Sequence, residues 1–403
     1  MDYLLEISRI IDGAVKGDRP KVMAYVDQLA RKLREAGDTA AADRLVQTAD
    51  QTKGSEVATA IPASSPRLPV DHESRLSLAD ETWIDPQDVN VVLDAPVEQR
   101  VYQFIRYVRH ADRLLASRVG IAPTMLVYGP PGIGKTVLAR YVAAELRMPL
   151  ITARSDSLIS SFLGSTAKNV RMLFDHARSR PCVLFLDELD SVAKLRDDQH
   201  ELGELKRVVV SLLQNIDALD NETVVIGATN HDHLLDPAVW RRFTYKLELG
   251  LPGFDARRRL FHLFLADHAP PDNEVEDFVS LADGMTGADI RQVCENAIRE
   301  SILADRSAVA VADVLRGIVG VQLGNNADFS SPDPDQVNAV HNLNPKLFTL
   351  KKLAALFDSS EPTISRRLNP GGSHAKQRTK ASNQGRNPSR SGSARSTRKR
   401  RSS

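Results

Sequence analysis

TMLVYGPPGIGKT, running from Thr124 to Thr136, is the stretch that decides the fold. A β-favouring apolar run ends abruptly at Gly129, and beyond Lys135 the apolar residues Leu138, Val142 and Leu146 recur on one helical face. The pattern is strand, glycine-rich loop, helix. Glycines at 129, 132 and 134 let the backbone curl so that several N–H groups converge at the positive end of the following helix, a ready cradle for phosphate. Gly129, Pro130, Pro131, Gly132, Ile133, Gly134, Lys135, Thr136 and Val137 are therefore the candidate nucleotide-binding residues. Lys135 brings a point charge to the phosphates, and the Thr136 hydroxyl is a ligand for Mg2+.

Working outward, four more short runs have strand character: Pro149 to Ala153, Cys182 to Asp187, Thr223 to Thr229 and Tyr245 to Leu249. Helical patterns near 94–117, 135–147, 165–179 and 203–217 alternate with them. Apolar strands separated by crossover helices predict an α/β fold with a parallel, doubly wound sheet. Asp187 and Glu188 fall at the carboxyl end of a central strand, where open α/β sheets bind ligands. One acid, Asp187, suits Mg2+; its neighbour Glu188 suits polarising a water, although two acids at a strand end also occur as a plain solvated terminus. Residues 255–318 read as helical throughout and form a second, smaller unit.

The 403 residues are 42% apolar and 26% charged, which excludes a wholly disordered chain. Two cysteines, Cys182 and Cys294, stand in a strand and a helix pattern, so neither a disulfide framework nor a zinc site is expected. His231-x-His233 lacks a third ligand at metal spacing and reads as loop. No basic leader precedes an apolar run and no stretch is long enough to span a bilayer, so the expectation is a soluble, cytoplasmic protein with no membrane partner. The net charge of +1 conceals an asymmetry: residues 371–403 hold ten Lys or Arg and no acid, leaving 43 basic against 52 acidic side chains in residues 1–370. Only the tail is electrostatically suited to a polyanion.

The flanks divide further. Residues 1–50 carry helical periodicity broken at Gly17-Asp18 and Gly37-Asp38, predicting a three-helix module that either docks a partner or packs against another subunit. Residues 51–83 read as a flexible linker, 84–252 as the α/β core, 253–319 as the small helical unit and 320–344 as a polar linker. Within 345–370, Thr349 to Phe357 and Glu361 to Leu368 predict two helices around a turn and resemble a helix-turn-helix, with Thr363, Ser365, Arg366 and Arg367 as candidate DNA contacts. Asp358 stands where the turn usually has glycine, and polar Ser359 where an apolar residue is usual; a short helical hairpin that packs on the small helical unit or holds a protein partner is the competing reading. The basic tail, 371–403, lacks apolar anchors and is expected to be disordered.

GPPGIGKT, VLFLDELD, VVIGATN and LLDPAVWRRF, in this order and spacing, resemble the Walker A, Walker B, sensor and arginine-finger motifs of the AAA ATPases, in particular their protein-remodelling group. The resemblance covers about residues 88–318. It implies ATP and Mg2+ as cofactors, a P-loop core with a helical lid, and a homo-hexameric ring with nucleotide between subunits. By position it makes Asn230 the sensor of the γ-phosphate, Arg241 and Arg242 the fingers given to a neighbour's ATP, and Gly287 and Ala288 the lid's nucleotide contacts. Phe162-Leu163-Gly164 resembles the pore loop that grips an extended polypeptide, with Ser165 departing from the acid usual after the glycine.

The function expected is an ATP-hydrolysing ring motor that remodels or threads a protein. Two alternatives stand beside it. One is a DNA-associated ATPase regulator acting through residues 345–403; the other, by likeness of layout to compact bacterial AAA proteins, is a toxin-neutralising or phage-defence ATPase paired with a protease.

Overall fold

A computed structural model describes residues 3–16, 19–51, 68–71, 75–154, 163–193, 204–219, 222–324 and 329–368. Its contacts divide the chain into two compact units, 1–308 and 309–403.

The first unit opens with α1 (Leu4–Lys16), α2 (Arg19–Glu35) and α3 (Thr39–Gln51), with α2 packed against both neighbours. The core sheet has, among the described residues, six strands in the order β1-β3-β4-β5-β2-β6. These are β1 (Ala79–Thr82), β2 (Thr124–Tyr128), β3 (Leu150–Ala153), β4 (Cys182–Leu186), β5 (Thr223–Thr229) and β6 (Tyr245–Glu248). All neighbours pair in parallel except β1, which runs antiparallel to β3. Every residue of β4 and β5 is buried, as a sheet covered on both faces requires.

Side-chain alternation along β2 distributes the two cores. Met125 and Val127 face α4 (Ala95–Arg109) and α6 (Lys135–Leu146), meeting Phe104, Leu138 and Val142. Leu126 faces the opposite layer, where α7 (Leu163–Arg178) and α9 (Glu204–Asp217) contribute Leu173, Phe174 and Leu212. Between these elements lie the short helices α5 (Ala111–Ala116) and α8 (Leu189–Ala193), and α10 (Pro237–Trp240) follows β5. The single helix expected over 94–117 is thus two, broken at His110, whose N–H closes α4 onto Arg106 and Val108. A small helical unit follows the sheet: α11 (Phe254–Leu265), α12 (Asp272–Leu281) and α13 (Gly287–Leu303), centred on the Phe261–Phe278 ring contact at 5.8 Å. Cys182 and Cys294 are both buried, and burial pushes the Cys294 thiol up to about 12. No helix among the described residues is long and apolar enough to cross a membrane.

The expected linker over 51–83 requires correction at its end. Ala79–Thr82 adds an edge strand, and Val70 bridges Ser77. Its residues Asp80, Glu81 and Thr82 are polar, so no apolar run announced it; Ala79 alone is buried, and Arg180 pairs with Glu81. Edge strands with charged outer positions are common because charge discourages pairing with other chains.

The amino-terminal helices meet the α/β core where Glu222 leads into the amino end of central strand β5. Glu222, directly before β5, accepts from Arg9 at 2.7 Å, Lys21 at 2.6 Å and Tyr25 at 3.0 Å, and is 8% exposed. Gln28 donates to the Arg147 carbonyl, Arg147 pairs with Glu35, and Arg31 stacks 3.7 Å over Trp83. Residues of α1 and α2 thus tie the amino-terminal helices to the α/β core through polar and cation–π contacts.

The second unit is helical: α14 (Val311–Gln322), α15 (Pro334–Leu343), α16 (Leu350–Leu356) and α17 (Glu361–Leu368). Val314, Ile318, Val340, Phe348, Leu356 and Ile364 are fully or almost fully buried in it. Two sequence boundaries shift. By its contacts Val311–Gln322, expected in the lid, belongs to this unit. The expected linker 320–344 contains α15, started by Asp333 accepting from Asp335 and Gln336 N–H with Pro334 at its first position. Only Val337 and Val340 are buried on α15, too few apolar positions to stand out in a polar stretch. The helices expected around 349–357 and 361–368 are present; the tail 371–403 lies outside the described residues.

Glu222→Ala is expected to destabilise the first unit by about 2 kcal/mol, since hydrogen bonds to a charged group contribute about 1.5–3 kcal/mol. Urea unfolding with and without about 0.5 M salt checks it: Glu222, Arg9 and Lys21 are largely buried, so the deficit should persist when salt screens exposed charges.

Candidate active site

Where β2 ends, three glycines with positive φ turn the chain: Gly129 (141°), Gly132 (77°) and Gly134 (96°). A Cβ on Gly129 would stand 2.1 Å from the Leu249 carbonyl oxygen, and one on Gly132 2.9 Å from Thr286 Oγ1, so no side chain fits at either position. The loop closes around Lys135, whose Nζ donates to the carbonyls of Gly129 (2.8 Å) and Pro130 (2.7 Å). Burial pushes the Lys135 pKa below the ordinary lysine value, against the pull of Asp187 and Asp190. The side chain directly after it, Thr136, donates through Oγ1 to Asp187 Oδ2 at 3.1 Å.

The two acids at the end of β4 differ in setting. Asp187 accepts the Glu188 N–H at 3.0 Å and the Thr136 hydroxyl, so its carboxylate is oriented from both sides. Glu188 is exposed and adopts φ +49°, a left-handed backbone that costs a non-glycine residue about 1–2 kcal/mol. Residues held in such conformations cluster at functional sites. Next door, Asp190 Oδ1 accepts from Thr229 Oγ1 at 2.6 Å, and that oxygen accepts the His231 N–H at 2.9 Å. Thr229 and Asp190 thereby brace the turn that carries Asn230 on the adjacent strand end. Sequence reasoning missed this pair; the threonine before Asn230 in VVIGATN is its only trace.

A cavity of about 680 Å³ joins these groups. Lys135, Thr136, Asp187, Glu188 and Asn230 make its polar end. Its apolar end is walled by Val91, Ile133, Leu260 and Phe264, with Gly287 and Ala288 at the rim. A small-molecule site of this size, polar at one end and apolar at the other, suits a triphosphate joined to a flat base. The sequence does not single out Val91, Leu260 and Phe264: Val89 to Leu93 falls in no expected strand or helix, and Leu260 and Phe264 fall within 255–318, which reads as helical throughout. Arg291 also lines the cavity and is paired to Glu295 at 2.7 Å.

Loop and lid are joined at the first turn of α13. Thr286 Oγ1 accepts the Asp289 N–H while Asp289 accepts the Thr286 N–H, a reciprocal capping box. That arrangement leaves the Ala288 N–H to donate to the Gly132 carbonyl at 3.0 Å. The lid's helix therefore starts on the phosphate loop itself.

The remaining candidates lie elsewhere. Arg241 and Arg242 are exposed just after α10 and are not among the residues lining the cavity; Arg242 pairs with Asp217 at 2.6 Å. Leu163 and Gly164 open α7, whereas Phe162 falls outside the described residues. His231 and His233 stack edge to face, 5.9 Å between ring centroids.

Residues 125–251 match the model of the ATPase family associated with various cellular activities (AAA). Over 229 residues the chain is 38% identical to an uncharacterized AAA family ATPase, y4kL, of Sinorhizobium fredii, covering 57% of this chain and 69% of that protein. The chain belongs to the AAA ATPase family. The activity that goes with the AAA domain is hydrolysis of ATP. It is also 35% identical over 226 residues to 26S proteasome regulatory subunit 10B homolog A of Arabidopsis thaliana, and 34% identical over 216 residues to the proteasome-activating nucleotidase of Methanococcus vannielii. The matched regions cover 53% and 51% of this chain, and the chain spans only 56% and 53% of those two relatives.

Two outcomes are expected at this site. Gly129→Ala should cost about 2 kcal/mol of stability from its backbone conformation alone, read by urea unfolding, with nucleotide binding lost as the loop is pushed off Leu249. Thr229→Val keeps the shape but removes the bond to Asp190; kcat should fall about tenfold while KM for ATP stays within about twofold.

Proposed function

We propose that this chain is a ring motor that uses ATP hydrolysis to remodel or thread a protein partner. The observation that carries the hydrolytic half is the convergence of a phosphate loop, an oriented Thr136–Asp187 pair and the exposed Glu188 on one cavity. Backbone N–H groups of Gly132 to Thr136 and the Lys135 ammonium hold the phosphates. Thr136 and Asp187 hold Mg2+, and their existing contact at 3.1 Å puts both oxygens on one side of the site. Mg2+, when bound, neutralises charge on the β- and γ-phosphate oxygens. Glu188 takes the proton of the attacking water, and Asn230, braced through Thr229, positions that water. Gly287 and Ala288 lie against the nucleotide's sugar and base.

The ring reading rests on Arg241 and Arg242. Both are solvent-facing and stand apart from their own cavity; Arg241 can offer a planar cation to a neighbour's γ-phosphate, and Arg242 can do so by leaving its pair with Asp217. A homo-hexamer is the assembly we propose, working in the cytoplasm, with Phe162, Leu163 and Gly164 gripping the threaded polypeptide in its channel. The names of the proteasomal relatives support protein handling as the use of the motor.

Glu188→Gln is expected to keep ATP affinity and reduce phosphate release at least about a hundredfold, the usual scale of general-base loss, whereas Lys135→Ala loses nucleotide binding. Subunit cooperation is read by mixing. Rings combining Lys135→Ala subunits, whose arginines are intact, with Arg241→Ala/Arg242→Ala subunits should hydrolyse faster than either variant alone. An additive result would mean hydrolysis is completed within one chain and would sink the ring reading.

A further inference from the structure

The nucleotide cavity carries two cations to which the hydrolytic steps give no task. From them we infer that Arg140 of α6 and Arg291 of α13 are further nucleotide-binding residues, clasping the sugar of the bound nucleotide from the core and from the lid. The inference rests on the reading of this cavity as an ATP site.

Both side chains line the cavity, and helical spacing puts them there. Arg140 follows Thr136 by four residues and Val137 by three, so it shares the face of α6 that presents those two to the cavity. Arg291 stands in the same relation to Gly287 and Ala288 on α13. Each starts one helical turn, about 5.4 Å, beyond the residues nearest the phosphate loop. Long helical side chains lean back toward the amino end of their helix, so both guanidinium groups reach toward the loop. The Ala288 N–H bonds to the Gly132 carbonyl, which sets the two helix starts against the same loop and makes the two side chains converge.

Neither cation is engaged by the rest of the site. Arg140 is exposed and has no hydrogen-bond or ion-pair partner among the described residues. Arg291 commits its Nε, which donates to Glu295 Oε1 at 2.7 Å; that tie steadies the side chain and leaves both Nη groups free to donate. The phosphates have the loop N–H groups and Lys135, one turn nearer, and the base has the apolar wall of Val91, Ile133, Leu260 and Phe264. The sugar lies between them. A guanidinium offers donors only, in a planar fork that spans two neighbouring oxygens, and a 2′,3′-diol presents two such acceptors. With one arginine on the core and the other on the lid, a filled sugar site ties the two together, beside the Ala288–Gly132 bond.

The test is calorimetric titration of the full-length protein with Mg2+ and either ADP or 2′,3′-dideoxy-ADP, in about 0.15 M salt so that exposed charges are screened. The unaltered chain should bind ADP about tenfold more tightly than the dideoxy form, the scale of a hydrogen bond to a charged group. Arg140→Gln and Arg291→Gln should each cut that ratio to about threefold and the double variant to about one, with affinity for dideoxy-ADP unchanged within about twofold. Damage to the fold would instead weaken both nucleotides alike. A ratio near one in the unaltered chain, a ratio that survives in the double variant, or equal weakening of both nucleotides overturns the proposal. If ADP binding is present and is abolished by Lys135→Ala, those results remove the arginines' role alone; if ADP does not bind at all, the nucleotide reading falls with it.

Discussion

The architecture depends on how closely the backbone at Gly129 approaches the carbonyl of Leu249. That contact, which no Cβ could survive, presses the phosphate loop onto the end of β6, the strand next to β2 at the sheet's edge. From there the loop has one course open to it: around the Lys135 ammonium and into α6, with Gly132 turned toward the lid. Because Gly132 accepts the Ala288 N–H, a shift in the loop is felt at the first turn of α13. Strand, loop and lid form one mechanical line, and the nucleotide cavity lies along it. This gives a physical route from phosphate chemistry to lid position without invoking any element beyond hydrogen-bond reach.

The opposite end of the sheet is held differently. Glu222 precedes β5, and Asn230 follows it, so the strand joins the amino-terminal helices at one end to the active site at the other. At Glu222 the bonds converge on one carboxylate, whereas along β5 every residue is buried and Val225, Ile226 and Gly227 are paired on both sides. The first three helices are accordingly a module fastened to a rigid bar, which fits either reading of their role: an attached docking element or a packing surface for another subunit.

Most of the sheet and the polar half of the cavity were legible in the residues because their physics is local. The five apolar strand runs fall within a residue or so of the observed β2 to β6, since double-sided burial demands continuous apolar sequence. Glycines that need positive φ, and acids at a strand end, are likewise visible one residue at a time. What escaped depends on partners far away. β1 exists because Ala79 meets Ala153, α15 because Val337 and Val340 find a pocket, and Thr229 matters through Asp190, 39 residues earlier. None of these has enough local apolar signal, or enough motif, to declare itself. The adenine-sized end of the cavity escaped for a related reason: Val91, Leu260 and Phe264 come from two distant segments and become a wall only after the chain has folded.

Two residues with left-handed backbones, Glu188 and Asp358, show how an apparent defect separates into two kinds. Each costs about 1–2 kcal/mol relative to a glycine. At Asp358 the cost is offset inside the unit, because Arg316 binds the carboxylate and two carbonyls at once, and glycine would give up that tie. The strain there belongs to folding. At Glu188 the backbone N–H is committed to Asp187 and the carbonyl accepts from Ser191, so the main chain is pinned from both sides while the side chain is left facing the cavity. A carboxylate presented on a backbone pinned in this way has few geometries to choose from, which suits the base proposed above for one water. The surroundings of each outlier, rather than its dihedral alone, set Asp358 apart as structural and support the catalytic role proposed for Glu188.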